Sequence, residues 1–192
     1  LRSLVAKAFN RGRIDALAPQ IQTLTQELLD QIALKKDFDV IADYAEPLPV
    51  KVIAALLDFP AGDEYLLRPW SQAIVKMYEV DPTQESQAGA RRAASEFATY
   101  VHDLMIARKK KPGTDLISEL AIVEEAGEKL NAHELIATCI LLLNAGHEAS
   151  VNGFGNGIVA AFKEESQWKL LKDDPCAIST TAIEEFLRFD AP

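Results

Sequence analysis

A mainly α-helical chain is what this sequence predicts, and three observations predict it. Apolar residues recur at three- and four-residue steps nearly throughout. Pro and Gly interrupt that pattern at helix-length intervals. Only one stretch, DFDVIADY (37–44), alternates as an edge strand would, so β structure is expected to be minor. At 192 residues, 48% hydrophobic and 26% charged, the chain fits one soluble domain or a piece of one.

The elements follow in order. Ile14, Leu17, Ile21, Leu24, Leu28 and Ile32 mark a long amphipathic helix. Pro47 and Pro49 open a second, LPVKVIAALLDF, which Pro60-Ala61-Gly62 stops. Asp63 is placed to cap a third, running through Trp70 to Tyr78. A long helix starts after Asp81-Pro82 and ends at RKKKPG (108–113), where its cations suit the helix dipole. A shorter helix covers Asp115 to Glu125. Asn131 with Glu134 reads as a capping box opening a helix from Ala132 to Lys163, roughly 48 Å long at 1.5 Å per residue. Two further helices are expected around SQWKLLKD and ISTTAIEEFLRF.

Bulk properties exclude several functions. The net charge of −9 offers nothing electrostatic to nucleic acid. The longest apolar stretch, Leu135 to Gly146, is about half the roughly 20 residues a bilayer needs, so no membrane partner is expected. Cys139 and Cys176 form no CxxC pattern, which predicts a reduced, cytoplasmic protein. The start, LRSLVAKAFNRGR, lacks a signal-peptide core and begins in mid-helix pattern. Both ends read as cuts.

The stretch LLLNAGHEASVNGFGNG (141–157) is the one that invites chemistry. It places His147, Glu148 and several glycines in an otherwise apolar helix, although buried charge is costly and each helical Gly costs about 1 kcal/mol relative to Ala. A zinc-protease HExxH fails because Val151 stands where the second His belongs. The Glu-x-x-His of di-iron bundles fails because Thr99, Leu130 and Asn144 precede the three histidines by three. No strand precedes the glycines, as a dinucleotide loop requires, and GxSxG is absent. Two readings of the residues remain. Ala145 and Gly146 let something approach the backbone while Glu148 carries protons, or they make a helix–helix contact with His147 and Glu148 hydrogen-bonded in the core.

Taken together, the pattern resembles the cytochromes P450, particularly the soluble bacterial type. Ala145-Gly146-His147-Glu148 resembles the family's Ala-Gly-x-(Asp/Glu)-Thr motif in its long central I helix. Glu185-Phe186-Leu187-Arg188 matches its Glu-x-x-Arg, and Leu187 to Pro192 resembles the continuation of that K helix. LRSLVAKAFN is similar to the C helix, AEPLPVKVIAALLDFP to the segment through the E helix, and GTDLISEL to the stretch before the I helix. The likeness covers residues 1–192 in family order, which implies an incomplete P450-like helical fold forming one partial domain.

The resemblance implies a haem monooxygenase that activates O2 and inserts one oxygen atom into a small hydrophobic organic substrate. It places Arg2 on a haem propionate and Leu141, Leu142, Ala145, Gly146 and Ala149 at the distal haem face. Asn144 would reach the substrate, and Glu148 with Ser150 would serve proton delivery. Glu185 and Arg188 would be structural. Pro69-Trp70-Ser71 and Tyr78 would lie where the F helix and its following loop cover the pocket. The implied electron donor is a ferredoxin- or flavodoxin-type reductase system, for which Arg2, Lys7, Arg11 and Arg13 offer a basic face.

Two departures stand out. The family's Thr is replaced by Ala149, with a hydroxyl one residue later at Ser150 and about 100° round an α-helix. The family's Cys loop, Phe-x-x-Gly-x-x-x-Cys-x-Gly, does not occur in these residues, so the iron ligand is expected outside this chain and no metal ligand within it. Alternatives are a catalytically inactive remnant of the family or an all-α binding domain that reuses the scaffold.

Overall fold

The structure is a computed structural model that describes residues 11–60, 62–113, 115–125 and 131–189. Eight α-helices lie among these residues: α1 (Arg11–Ala33), α2 (Pro47–Leu56), α3 (Leu67–Val75), α4 (Gln84–Lys110), α5 (Leu116–Glu125), α6 (Ala132–Lys163), α7 (Glu165–Asp173) and α8 (Pro175–Phe189). The described residues contain no strand.

The expected edge strand at 37–44 is therefore a correction. Ile41–Ala45 forms a short π-helix instead. Asp39 decides this locally, because its Oδ1 accepts the backbone N–H groups of Ile41 at 2.8 Å and Ala42 at 3.1 Å. That side-chain cap starts a helical turn where alternating apolar residues alone suggested extension. Lys35 donates to Asp43 at 2.7 Å, closing the turn and lowering the Asp43 carboxyl from its usual range.

The third predicted helix is also more broken than the sequence suggested. A 3₁₀ turn (Glu64–Leu66) precedes α3 and another (Lys76–Tyr78) follows it. Asp63 makes no side-chain cap. Its Oδ2 accepts the Tyr100 hydroxyl at 2.5 Å, tying the entry of α3 to α4.

The start of α6 is a full capping box, as the sequence indicated. Asn131 Oδ1 accepts from Glu134 N at 3.0 Å, and Glu134 Oε2 accepts from Asn131 N at 2.9 Å. The helix then runs 32 residues and packs against α2, α3, α4, α5, α7, α8 and the π-helix.

Most of the core lies on one side of this helix. Leu135, Cys139 and Leu143 of α6 meet Ile53 and Leu57 from the α2 region, Phe97, Val101 and Met105 of α4, and Leu116, Ile117 and Leu120 of α5. An aromatic group closes the α3–α4 joint. Trp70 lies edge-on to Phe97 at 5.5 Å, and Phe59 stacks on Tyr100 at 4.9 Å. Arg108 fastens the far end of α4. It donates to the backbone oxygen of Asp58, whose φ is +50°, at 2.8 Å and to its carboxylate at 2.6 Å. Its Nε also lies 3.2 Å from Asp115 Oδ2, and the Ser118 hydroxyl donates to that oxygen at 2.5 Å.

Glycines set how closely neighbours approach α6. A Cβ on Gly157 would stand 2.3 Å from Phe186 of α8, and one on Gly155 would stand 3.0 Å from Ile41 of the π-helix. Gly157 thereby has a packing reason, since Phe186 sits where its side chain would be, while at Gly155 Ile41 would have to give by a few tenths of an ångström.

Gly157→Ala in the full-length protein is therefore expected to lose about 1–3 kcal/mol of stability, read from the denaturant midpoint. Gly89→Ala, on α4 with nothing within 4 Å of the added carbon, should be neutral or stabilising by up to about 1 kcal/mol. Equal midpoints for the two variants would refute this account.

Candidate functional site on the central helix

One face of α6 is left uncovered among the described residues. Leu141 is 61% exposed, Ala145 and Ala149 are exposed, and Glu148 is half-buried between them. Their spacing of i, i+4, i+7 and i+8 puts them on one stripe of a helix with 3.6 residues per turn. The stripe thus combines small apolar side chains with a single carboxylate. Of the residues expected at a distal face, Leu141, Ala145 and Ala149 share this stripe, and Glu148, expected to serve proton delivery, lies beside them.

The others lie elsewhere on the helix. Leu142 is partly buried against the core. Gly146 faces α2, where an added Cβ would meet Ile53 Cδ1 at 2.5 Å. The helix contact that the residues alone left open is therefore real for Gly146. Ser150 is exposed, and because α6 continues as an α-helix through it, its hydroxyl sits about 100° round from Ala149.

Asn144 and His147 are buried beside the stripe, in the contact with α3. Asn144 is 5% exposed, His147 1% and Ser71 0%. The Ser71 hydroxyl donates to Asn144 Oδ1 at 3.4 Å, and His147 Nδ1 pairs with Ser71 Oγ at 3.0 Å. His147 Nδ1 also lies 3.7 Å from Glu148 Oε1. Asn144 Nδ2 and His147 Nε2 are buried without hydrogen-bond partners among the described residues. Nearby, Arg68 of α3 pairs with Glu46, which precedes α2. Burial lowers the His147 pKa below its ordinary 6.5, although Glu148 and Glu46 pull the other way.

Sequence reasoning singled out Asn144 and His147 but did not join them to Ser71, and it passed over Glu46 and Arg68. A signal was present in part. Ser71 is the polar residue on the buried side of LRPWSQAIV, where Leu67, Trp70 and Ile74 face inward. Trp70 itself turns into the core, donating Nε1–H to Glu96 at 3.0 Å, while Tyr78 is 69% exposed.

Glu185 and Arg188 form the two-pronged pair expected of Glu-x-x-Arg. Arg188 Nε donates at 2.7 Å and Nη2 at 2.6 Å, and this holds the Glu185 carboxyl below its usual range. Both residues are exposed in α8. Cys139 is fully buried in α6 and its thiol is pushed up to about 12 by burial, so it does not offer a thiolate. Cys176 is exposed at the start of α8. No group of three or more metal-ligating side chains occurs among the described residues, and no helix there is long and apolar enough to cross a membrane. Arg2 and Lys7 lie outside the described residues. Arg11 is exposed and pairs with Asp15 at 3.7 Å.

His147 makes stability depend on pH in a defined direction. Its folded pKa lies below the unfolded value, so the unfolded chain binds more protons as pH falls through about 6.5. Stability of the full-length protein should therefore fall between pH 7.5 and 5, and His147→Phe should flatten that part of the curve. A thermal midpoint profile of unchanged slope in His147→Phe would sink the assignment.

No protein-family model matches the chain. Curated relatives do. Cytochrome P450 CYP107DY1 of Priestia megaterium is 36% identical over 192 residues, covering 100% of this chain and 46% of the relative. Vitamin D(3) 25-hydroxylase of Pseudonocardia autotrophica is 38% identical over 193 residues, again 100% of this chain and 46% of the relative. Among solved structures, P450BioI in complex with a fatty-acid-ligated acyl carrier protein matches with TM-score 0.91 and 32% identity, over 100% of this chain and 49% of that one. Myxobacterial CYP267B1 in complex with myristic acid matches with TM-score 0.89 and 35% identity, over 100% and 47%. The chain thus spans about half the length of the relatives it matches. Sequence and fold agree over that span, and the chain belongs to the cytochrome P450 family.

Proposed function

We propose that these residues are the central part of one P450 domain, a haem monooxygenase that inserts one oxygen atom of O2 into a small hydrophobic organic substrate. The observation that carries the reading is the exposed stripe of α6, where Leu141, Ala145 and Ala149 surround one carboxylate. The short side chains of Ala145 and Ala149 beside the exposed Leu141 leave a shallow apolar surface, which fits the flat face of a haem. Bound there, haem would supply O2 activation, with one oxygen entering the substrate and the other leaving as water.

The chain's own residues then divide the remaining tasks. Ala145 and Ala149 keep the helix surface low, leaving room for a small ligand beside it. Leu142 and Gly146 support this face from behind, through the core and through Ile53. Glu148 holds and moves protons at its carboxylate, reached from water because the side chain is 26% exposed. Ser150 offers a hydroxyl, but its place on the helix leaves a gap that ordered water or a substrate hydroxyl completes. Asn144, whose buried Nδ2 has no partner among the described residues, is assigned to a polar group of the substrate. Arg2 is assigned to a haem propionate, where a planar guanidinium suits a carboxylate. Glu185 and Arg188 stiffen α8. The iron-ligating thiolate comes from outside this chain, since neither Cys139 nor Cys176 suits the role. Electrons come from a ferredoxin- or flavodoxin-type reductase system, and the protein works in the cytoplasm.

In the full-length protein, Glu148→Gln is expected to lower coupled product formation by about 10²-fold while leaving the reduced CO-bound absorption of a thiolate haem intact. Unchanged turnover would end the proton role. An absent CO signature in the wild type would end the monooxygenase reading in favour of an inactive remnant or a binding domain.

A further inference from the structure

The buried seam between α3 and α6 holds a competition for one proton. His147 Nδ1 lies 3.0 Å from Ser71 Oγ and 3.7 Å from Glu148 Oε1. Ser71 has one hydroxyl proton, and it is directed to Asn144 Oδ1 at 3.4 Å. With the proton so placed the hydroxyl accepts from His147, which assigns the ring proton to Nδ1 and leaves Nε2 as the bare acceptor; the roles across the 3.0 Å contact follow that tautomer. All three side chains are at least nine-tenths buried, so water does not compete for these positions.

We propose that Ser71 is a positioning residue for Glu148: by accepting the His147 Nδ1–H it keeps the imidazole from capturing the neighbouring carboxylate, which stays free to exchange protons. The proposal rests on reading Glu148 as the proton-handling acid. The charged groups around the ring are Glu148 on its own helix, Glu46 before α2 and Arg68 on α3. Glu46 and Arg68 form an ion pair with each other, which leaves Glu148 as the acid the ring would turn to. At 3.7 Å the ring and carboxylate are near neighbours, yet beyond hydrogen-bond length. A small ring rotation after loss of the Ser71 acceptor would close that gap. The resulting imidazole–carboxylate pair would favour a charged ring and a carboxylate that no longer accepts protons readily.

The test uses full-length, haem-loaded protein labelled with ¹⁵N-histidine, observed in its diamagnetic ferrous CO form, with His147→Phe assigning the signal. Wild type should show His147 neutral with the proton on Nδ1, titrating below 6.5. Ser71→Ala should raise that titration by about one unit or more and lower kcat more than it changes KM. Ser71→Thr, which keeps the hydroxyl, should behave as wild type. A Ser71→Ala/His147→Phe double variant should be no slower than His147→Phe alone. An Nε2-protonated ring in the wild type, or an unshifted His147 titration in Ser71→Ala, would overturn the proposal. If Glu148→Gln turned over normally while the Ser71→Ala shift appeared, the acid reading would fall and the proton competition would stand.

Discussion

Close approach to a single helix is the constraint on which the rest of this structure depends. α6 is wrapped by six other helices and the π-helix, and at three of its glycines a neighbour stands 3.0 Å or less from where a Cβ would be. Ile53 sits over Gly146, Ile41 over Gly155 and Phe186 over Gly157. Each glycine weakens the helix locally, by about 1 kcal/mol relative to Ala. Each also admits a large apolar group against the backbone; full burial of such a group is worth about 1.5–3 kcal/mol, which Ile53 approaches and the half-buried Ile41 and Phe186 reach in part. The balance favours the packed arrangement, and it sets the distances of α2, the π-helix and α8 from the central axis.

The same wrapping defines the candidate site by what it leaves out. The core takes Leu135, Cys139 and Leu143, the seam with α3 takes Asn144 and His147, and α2 covers Gly146. Among the positions left uncovered is the stripe from Leu141 to Ala149, with Glu148 at its side. The same helix is also open at Val159 (52%) and Phe162 (59%), so the stripe is set apart by its carboxylate among apolar side chains and not by exposure alone. The acid on that face adjoins a buried polar seam through His147, whose own surroundings are set by groups from three elements: Glu46 before α2, Arg68 and Ser71 on α3, and Glu148 on α6.

Several elements were legible without coordinates because their signals are local. The Asn131–Glu134 capping box and the Pro and Gly punctuation are read over three to five residues, and the structure follows them at α6 and near α2. The edge strand at 37–44 was misread for an equally local reason. Apolar alternation suggested extension, but Asp39 offered its carboxylate to two backbone N–H groups and began a helical turn. Asp63 looked like a cap and became the acceptor for Tyr100, 37 residues away, a partner that no local window contains.

By itself, the sequence determined that the chain is helical, that a long central helix carries a carboxylate among small residues, and that the motifs follow cytochrome P450 order. Those properties depend on composition, periodicity and caps, which act within a few turns. Tertiary structure decided which face of that helix each residue occupies. Gly146 was placed against Ile53, Asn144 and His147 were drawn into contact with Ser71, and Leu141, Ala145 and Ala149 were left in the open with Glu148 half-buried among them. The physical reason is that burial is a property of neighbours. A helix exposes whichever stripe its partners fail to cover, and those partners come from residues scattered between Ile41 and Phe186.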